Sequence, residues 1–381
     1  MNIFALRSVK WWPAALSVCV TIGLALWTVR AHAQLLIGQP SGFSGAAAAG
    51  VKENTKGAQL VIDLVNAKGG VHGQKIELLS KDDQFMPKRT LELATELIDK
   101  DKVLALFLNR GTPHTEILLP LLADRKVPLI APSTGAMVLH DPVNPWVFNV
   151  RATYQREAAR AIEHLVGLGL TRIAVMYTDD SFGADGAAGA TKGFEKQRVP
   201  VLWQEKFPRD NPDLTPLVQR VKQSDAQAVV VIASAANVAA AVKGIRQAGS
   251  RAQVVTLSNN ASDGFIKLLG EQGRGVIVTQ VFPSERSMTY ALVREAVELA
   301  RTKGLDGVSP AMMEGFAAAK VLVEGLRLAG PNPTPAKLRD ALENIQRFDL
   351  GGLSISYTST DHSGLEFADL SIIDASGKFR R

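Results

Sequence analysis

The chain has 381 residues, 46% hydrophobic and 21% charged, with 32 glycines and 18 prolines. That composition excludes a disordered, collagen-like or multi-pass membrane protein, and the length suggests two lobes. Lys+Arg 43 against Asp+Glu 37 gives +6, but the first 33 residues hold Arg7, Lys10 and Arg30 and no acid, so the remainder carries 40 basic against 37 acidic residues, about +3. No nucleic-acid partner is expected.

In chain order, the first segment predicts an export signal. Basic Arg7 and Lys10 precede an apolar stretch from Pro13 to Val29 and the small-x-small box Ala31-His32-Ala33. Cleavage is expected after Ala33, leaving a periplasmic protein; an uncleaved anchor is the alternative. The only cysteine, Cys19, lies inside the apolar stretch, so the mature chain has no disulfide, no cysteine-ligated metal and no thiol nucleophile.

From Gln34 onward, short aliphatic runs alternate with longer amphipathic segments, the pattern of parallel strands with crossover helices. Strands are predicted at 35–39, 75–80, 103–108, 128–131, 172–177, 201–207, 228–232 and 254–257. Helices are predicted at 51–68, 87–100, 113–125, 154–167, 183–197, 213–224, 236–248, 287–303 and 310–328. Gly69-Gly70 suits the left-handed turn that stops a helix, and Pro87 suits a first helical position. The breaker cluster Asp141-Pro-Val-Asn-Pro145 divides about four strand-helix units from about four more. After Gly275 the alternation lapses, and Leu353 to Tyr357 with Leu370 to Ile373 read as a β-hairpin around Asp361-His-Ser-Gly364.

Ligands of open parallel sheets bind beyond the carboxyl ends of the strands. The residues there are hydroxyls, amides and glycines, able to hydrogen-bond a small polar molecule. The candidate ligand-binding residues are Ser41, Ser44, Arg110, Thr112, Ser133, Thr134, Tyr154, Phe182 and Asn259. Arg110 is a natural bidentate clamp for a carboxylate, the alternative being a pairing across the lobe. Tyr154 and Phe182 can wall a ligand or serve as packing. Arg151 reads as a hinge or interlobe pairing residue, Asp82-Asp83 as a structural pair at the following helix, and Met312-Met313 as core. The six histidines share no metal spacing, and no phosphate loop, Gly-x-Ser-x-Gly elbow or dinucleotide fingerprint occurs. No metal, cofactor or enzymatic activity is expected.

The segment Gly57-Ala-Gln-Leu-Val-Ile-Asp-Leu-Val-Asn-Ala-Lys-Gly-Gly-Val-His-Gly73 with Asp82-Asp83 resembles the branched-chain amino-acid-binding family of periplasmic solute-binding proteins. The resemblance continues through Val127 to Pro132, Val147 to Arg151, Asp180 to Gly183 and Asp361 to Gly364. It implies an α/β type I periplasmic-binding-protein fold: two Rossmann-like lobes with parallel sheets, joined by three crossover strands. Residues 34–150 and 279–350 would form the N-terminal lobe, and 151–278 with 351–381 the C-terminal lobe.

The function it implies is the substrate-binding subunit of an ABC importer, a monomer that delivers its ligand to permease subunits with their ATPases. A periplasmic sensor is the alternative, and an exported α/β enzyme or a LacI-type regulator is disfavoured. By resemblance, the loops at Arg110 to Thr112 and Ser133 to Gly135 would hold a carboxylate, with Phe182 closing from the second lobe. The acid that pairs with an amino acid's ammonium would fall near Asn259-Asn260, where no carboxylate stands. That suggests a carboxylate lacking the α-amino group, such as an aromatic or aliphatic acid, and the expected ligand is a small organic acid or an amino-acid-like compound.

Overall fold

An all-parallel sheet and a second, largely parallel sheet with an antiparallel edge follow Gln34. The computed structural model describes Met1 and residues 34–380, so the predicted signal segment and its cleavage point fall outside the described residues.

The first sheet is built from β1 (Leu35–Ser41), β2 (Ile76–Asp82), β3 (Ala105–Phe107), β4 (Leu129–Ile130) and β5 (Val147–Phe148). Its order is β2-β1-β3-β4-β5 and every pairing is parallel. Between its strands run α1 (Ala48–Ala67), α2 (Pro87–Asp99), α3 (Thr112–Glu116) and α4 (Leu119–Arg125). The single helix expected at 113–125 is divided because Pro120 has no N–H to offer the Glu116 carbonyl. Asp83 is fully buried, accepting from the Phe85 N–H (2.8 Å) and the Thr90 hydroxyl (2.7 Å), so it ties the end of β2 to α2.

The chain then enters a second sheet through α5 (Tyr154–Gly167). There β6 (Ile173–Thr178), α6 (Ser181–Gln197), β7 (Trp203–Phe207), α7 (Thr215–Gln223), β8 (Ala228–Ile232), α8 (Ala235–Gln247), β9 (Gln253–Thr256), α9 (Asp263–Leu269) and β10 (Ile277–Gln280) alternate. All five residues of β8 are buried, as expected of a central strand covered on both faces. Next, α10 (Ala291–Thr302), α11 (Pro310–Ala329) and α12 (Pro335–Glu343) contribute to the core of the first lobe. The tail is β11 (Phe348–Asp349), β12 (Ser354–Ile355), β13 (Asp369–Ile373) and β14 (Phe379–Arg380), and the second sheet runs β14-β13-β10-β9-β8-β6-β7.

The predicted terminal hairpin is corrected. β12 pairs with β11, whereas β13 lies antiparallel to β10 and β14. The two segments belong to different lobes: Ile355 and Tyr357 pack in the first core, Leu370 and Ile373 in the cores of the second. The turn-forming residues between them instead clasp β5, where the Asn149 N–H donates to the His362 carbonyl (3.0 Å). Val150 and Ala152 belong to the first core and Tyr154 to the second lobe; Val278 packs in the second, Val281 and Phe282 in the first. The third crossing falls between Leu365 and Asp369 rather than at 350, because Leu350, Ile355, Tyr357 and Leu365 are all buried in the first core.

Helices α1 and α11 meet backbone to backbone at Gly57 and Gly315. A Cβ at Gly57 would overlap the Met312 carbonyl, and one at Gly315 the Asn54 carbonyl. No flexible side chain can yield there, so Gly57→Ala must push the helices apart. It is expected to cost about 3 kcal/mol, the upper end for overpacking, read as a lower urea midpoint at unchanged slope.

Candidate functional site

The strands of both sheets end at one cleft between the lobes. Arg110 follows β3, bridged in register to Ser133, and its side chain is only 7% exposed. Nη1 donates to the Ser133 hydroxyl (3.0 Å) and Nη2 to the backbone carbonyl of Asn259 on the opposite lobe. Among the described residues no carboxylate pairs with this guanidinium. A buried cation held only by neutral oxygens retains most of its attraction for an anion.

Around it lie Phe85, Gly111, Thr112, Ser133, Tyr154, Thr178, Phe182, Arg209, Ser234 and Asn259, enclosing about 410 Å³ of space partly open to solvent. Tyr154 and Phe182 meet edge to face at 4.9 Å. Phe85 stacks on the His114 ring at 4.2 Å, and the Arg209 guanidinium lies over the Phe85 ring, 4.9 Å from its centre. Arg209 is also paired with Asp180, so its charge is already matched, unlike that of Arg110.

Of the predicted residues, Arg110, Thr112, Ser133, Tyr154, Phe182 and Asn259 are brought together on this cleft. Thr134 lies behind it, fully buried, 2.8 Å from the Thr112 hydroxyl. Ser41 is fully buried, and its hydroxyl has no hydrogen-bond partner among the described residues; it does not line the cleft. Ser44 is exposed, its N–H donating to Asp82 (3.0 Å), because the chain turns outward through Gly45 at φ +76°. Phe85, Thr178 and Arg209 were not among the candidates, and Ser234 was a strand-end position not carried into them. Thr178 ends β6 and Ser234 follows β8, so the strand-end rule contains them; applied to β7, the same rule leads to Arg209.

The lobes also meet through Glu53 of α1, which accepts from the Asp263 and Gly264 N–H groups (3.1 and 2.9 Å) and the Ser309 hydroxyl (2.6 Å). Its carboxylate thereby accepts the first N–H groups of α9, and Asp263 is not among the residues lining the cleft. Asn260 donates to the Ala233 carbonyl and the Thr256 hydroxyl. Among the described residues no Asp or Glu lines the cleft. Among the described residues there is no cluster of groups able to hold a metal, and no helix long and apolar enough to cross a membrane.

Two histidines are buried in the first lobe, His114 stacked on Phe85 and His140 at the end of the short helical turn 137–139 after β4. Burial pulls the pKa of each down to about 4. A histidine held neutral when folded contributes fully above its unfolded pKa of about 6.5, and that contribution is lost as pH falls toward 4. Buried Glu53, Asp83 and Asp185, whose carboxyls are pushed up by burial, act in the opposite sense, so a variant comparison is needed. Between pH 7.5 and 5 the protein is expected to lose about 2 kcal/mol more than His140→Leu, measured by urea unfolding at both pH values.

The periplasmic binding protein family matches residues 34–374. A substrate-binding periplasmic protein from Ralstonia solanacearum superposes with a TM-score of 0.82 at 30% identity, covering 91% of this chain and 99% of that one. An amino acid binding protein of Pseudomonas aeruginosa is 26% identical over 70% of this chain and 71% of its own length. Leu/Ile/Val-binding protein homolog 3 of Brucella melitensis biotype 1 is 20% identical over 94% of both.

Proposed function

The chain belongs to the periplasmic binding protein family, and on that premise we propose that it is the exported substrate-binding subunit of an ABC importer, capturing a small carboxylate that lacks an α-ammonium group. The observation that carries this reading is Arg110: buried between the lobes, joined to both, and without an anionic partner. In this account the ligand carboxylate is received by Arg110 with the hydroxyls of Thr112 and Ser133, while Tyr154, Phe182 and Phe85 wall its apolar part. Closure adds contacts from the second lobe that an open form cannot make, so ligand shifts the population toward the closed state. The closed ligand would then be presented to the membrane permease. The signal segment, cleaved after Ala33, would place the protein in the periplasm.

Relatives named for leucine, isoleucine and valine must accommodate an ammonium. Here the cleft offers no carboxylate to one, and a desolvated, unpaired cation is costly. A thermal-shift screen against aliphatic and aromatic monocarboxylates, their amides and the common amino acids tests the proposal. A ligand at about 100 times its Kd should add about 2.7 kcal/mol, so acids should raise the melting temperature while amides and amino acids should not. Stabilisation by amino acids alone would overturn it.

A further inference from the structure

We infer that the bound acid is elongated, its carboxylate with Arg110 in the inner chamber and an uncharged apolar tail running outward along a second chamber. This rests on the carboxylate reading above and extends it to the rest of the ligand. Arg110 stands at the boundary of two spaces. Inward is the hydroxyl-bearing cleft already described. Outward is a larger space of about 910 Å³, also partly open to solvent, that shares Phe85, Arg110, Ser234 and Asn259 with the inner one, so the two adjoin at the guanidinium, with the Arg110–Asn259 hydrogen bond at their boundary.

The chemistry of the outer space differs. Residues 45–50 at the start of α1 and Ala235-Ala236 at the start of α8 face it with nothing larger than methyl groups, and Leu268, more than half exposed, stands at its rim. Of its polar side chains, the Ser262 hydroxyl caps α9 through the Phe265 N–H, the Ser234 hydroxyl accepts the Asn237 N–H, and the Asn260 amide nitrogen is bonded across β8 and β9, while the Asn259 side-chain oxygen, at the boundary with Arg110, has no partner among the described residues. Apart from Arg110 at the boundary, no charged residue lines it. A second charged end would find no partner there, whereas hydrocarbon would lose water-exposed surface. At Gly264 an added Cβ would overlap the Ala49 methyl, so the small side chains let α1 and α9 meet and bound the chamber.

The test is calorimetric titration of the protein with butanoate, hexanoate, octanoate and octanamide, repeated for Ala236→Leu and Ala46→Leu. Both positions are exposed, so neither substitution disturbs the core, and a melting curve of each confirms that it folds. Affinity is expected to rise by up to about fourfold per methylene from butanoate to octanoate. Filling the outer chamber should weaken octanoate by about tenfold and leave butanoate within about twofold. Equal affinity for all three acids overturns the elongated ligand and leaves the carboxylate reading in place. So does a length dependence that neither variant alters, since the tail must then lie elsewhere. Octanamide binding as tightly as octanoate, or no acid binding at all, overturns the carboxylate reading and this inference with it.

Discussion

Arg110→Ala is expected to weaken binding of a carboxylate ligand by at least about 100-fold, the loss that follows when one member of a buried, hydrogen-bonded charge pair is truncated. The guanidinium reaches across the cleft, one nitrogen on Ser133 of the first lobe and the other on the Asn259 carbonyl of the second. On the proposed function it would read both the anion and the approach of the two lobes. Arg110→Lys should recover only part of the affinity, because an ammonium keeps the charge but not the planar fork that spans two acceptors. Calorimetry on the two variants measures the effect, and melting without ligand separates it from a folding defect. Equal affinity of Arg110→Ala and the parent protein would remove Arg110 from the site.

Arg151→Leu should give the largest loss of stability, about 3–5 kcal/mol, because it strands buried carboxylates. Arg151 is 1% exposed and pairs with Glu157, which is itself fully buried; Nη2 also donates to the Ser258 hydroxyl (2.6 Å), and Nη1 lies 3.8 Å from Glu314 on α11. Glu157 in turn accepts from the Ser258 N–H (2.9 Å) and the Thr279 hydroxyl. One cation thus ties the first crossing, at Arg151, to the second, at Thr279, and to α11. The pair itself need not be worth much against a well-packed apolar substitute; breaking it is what costs. Hence Arg151→Leu combined with Glu157→Leu should be more stable than Arg151→Leu alone, as read from urea midpoints. A single variant with unchanged stability would mean that Glu157 is not confined as its burial indicates.

Local periodicity was enough to read most of the α/β alternation. Ala228 to Ile232 is an unbroken apolar run because both faces are covered, and the helix expected at 154–167 occupies those residues. What local pattern cannot carry is the identity of a distant partner. β13 looks like half of a hairpin with the preceding strand-like segment, yet it pairs with β10 from about ninety residues earlier. Two helices were missed for different reasons. α9 spans only seven residues, too few for a period to show, and α12 begins on Pro335 inside a proline cluster that reads as a breaker, with Thr334 capping it.

The site follows the same division. Strand ends led to Arg110, Thr112, Ser133 and Asn259, since topology alone brings those positions to one edge. Ser44 sits near a strand end too, but the turn at Gly45 carries it to the surface. Phe85 reaches the cleft through a left-handed residue conformation (φ 58°), with its N–H held by Asp83, a detail of backbone geometry that residue types do not announce.

The most direct measurement is a paired calorimetric titration with leucine and 4-methylpentanoate, which share one skeleton and differ only in the α-ammonium group. The account predicts that the acid binds and that leucine binds at least about 100-fold more weakly, since no carboxylate in the cleft meets its ammonium. Leucine binding as tightly as the acid, or more tightly, would contradict it.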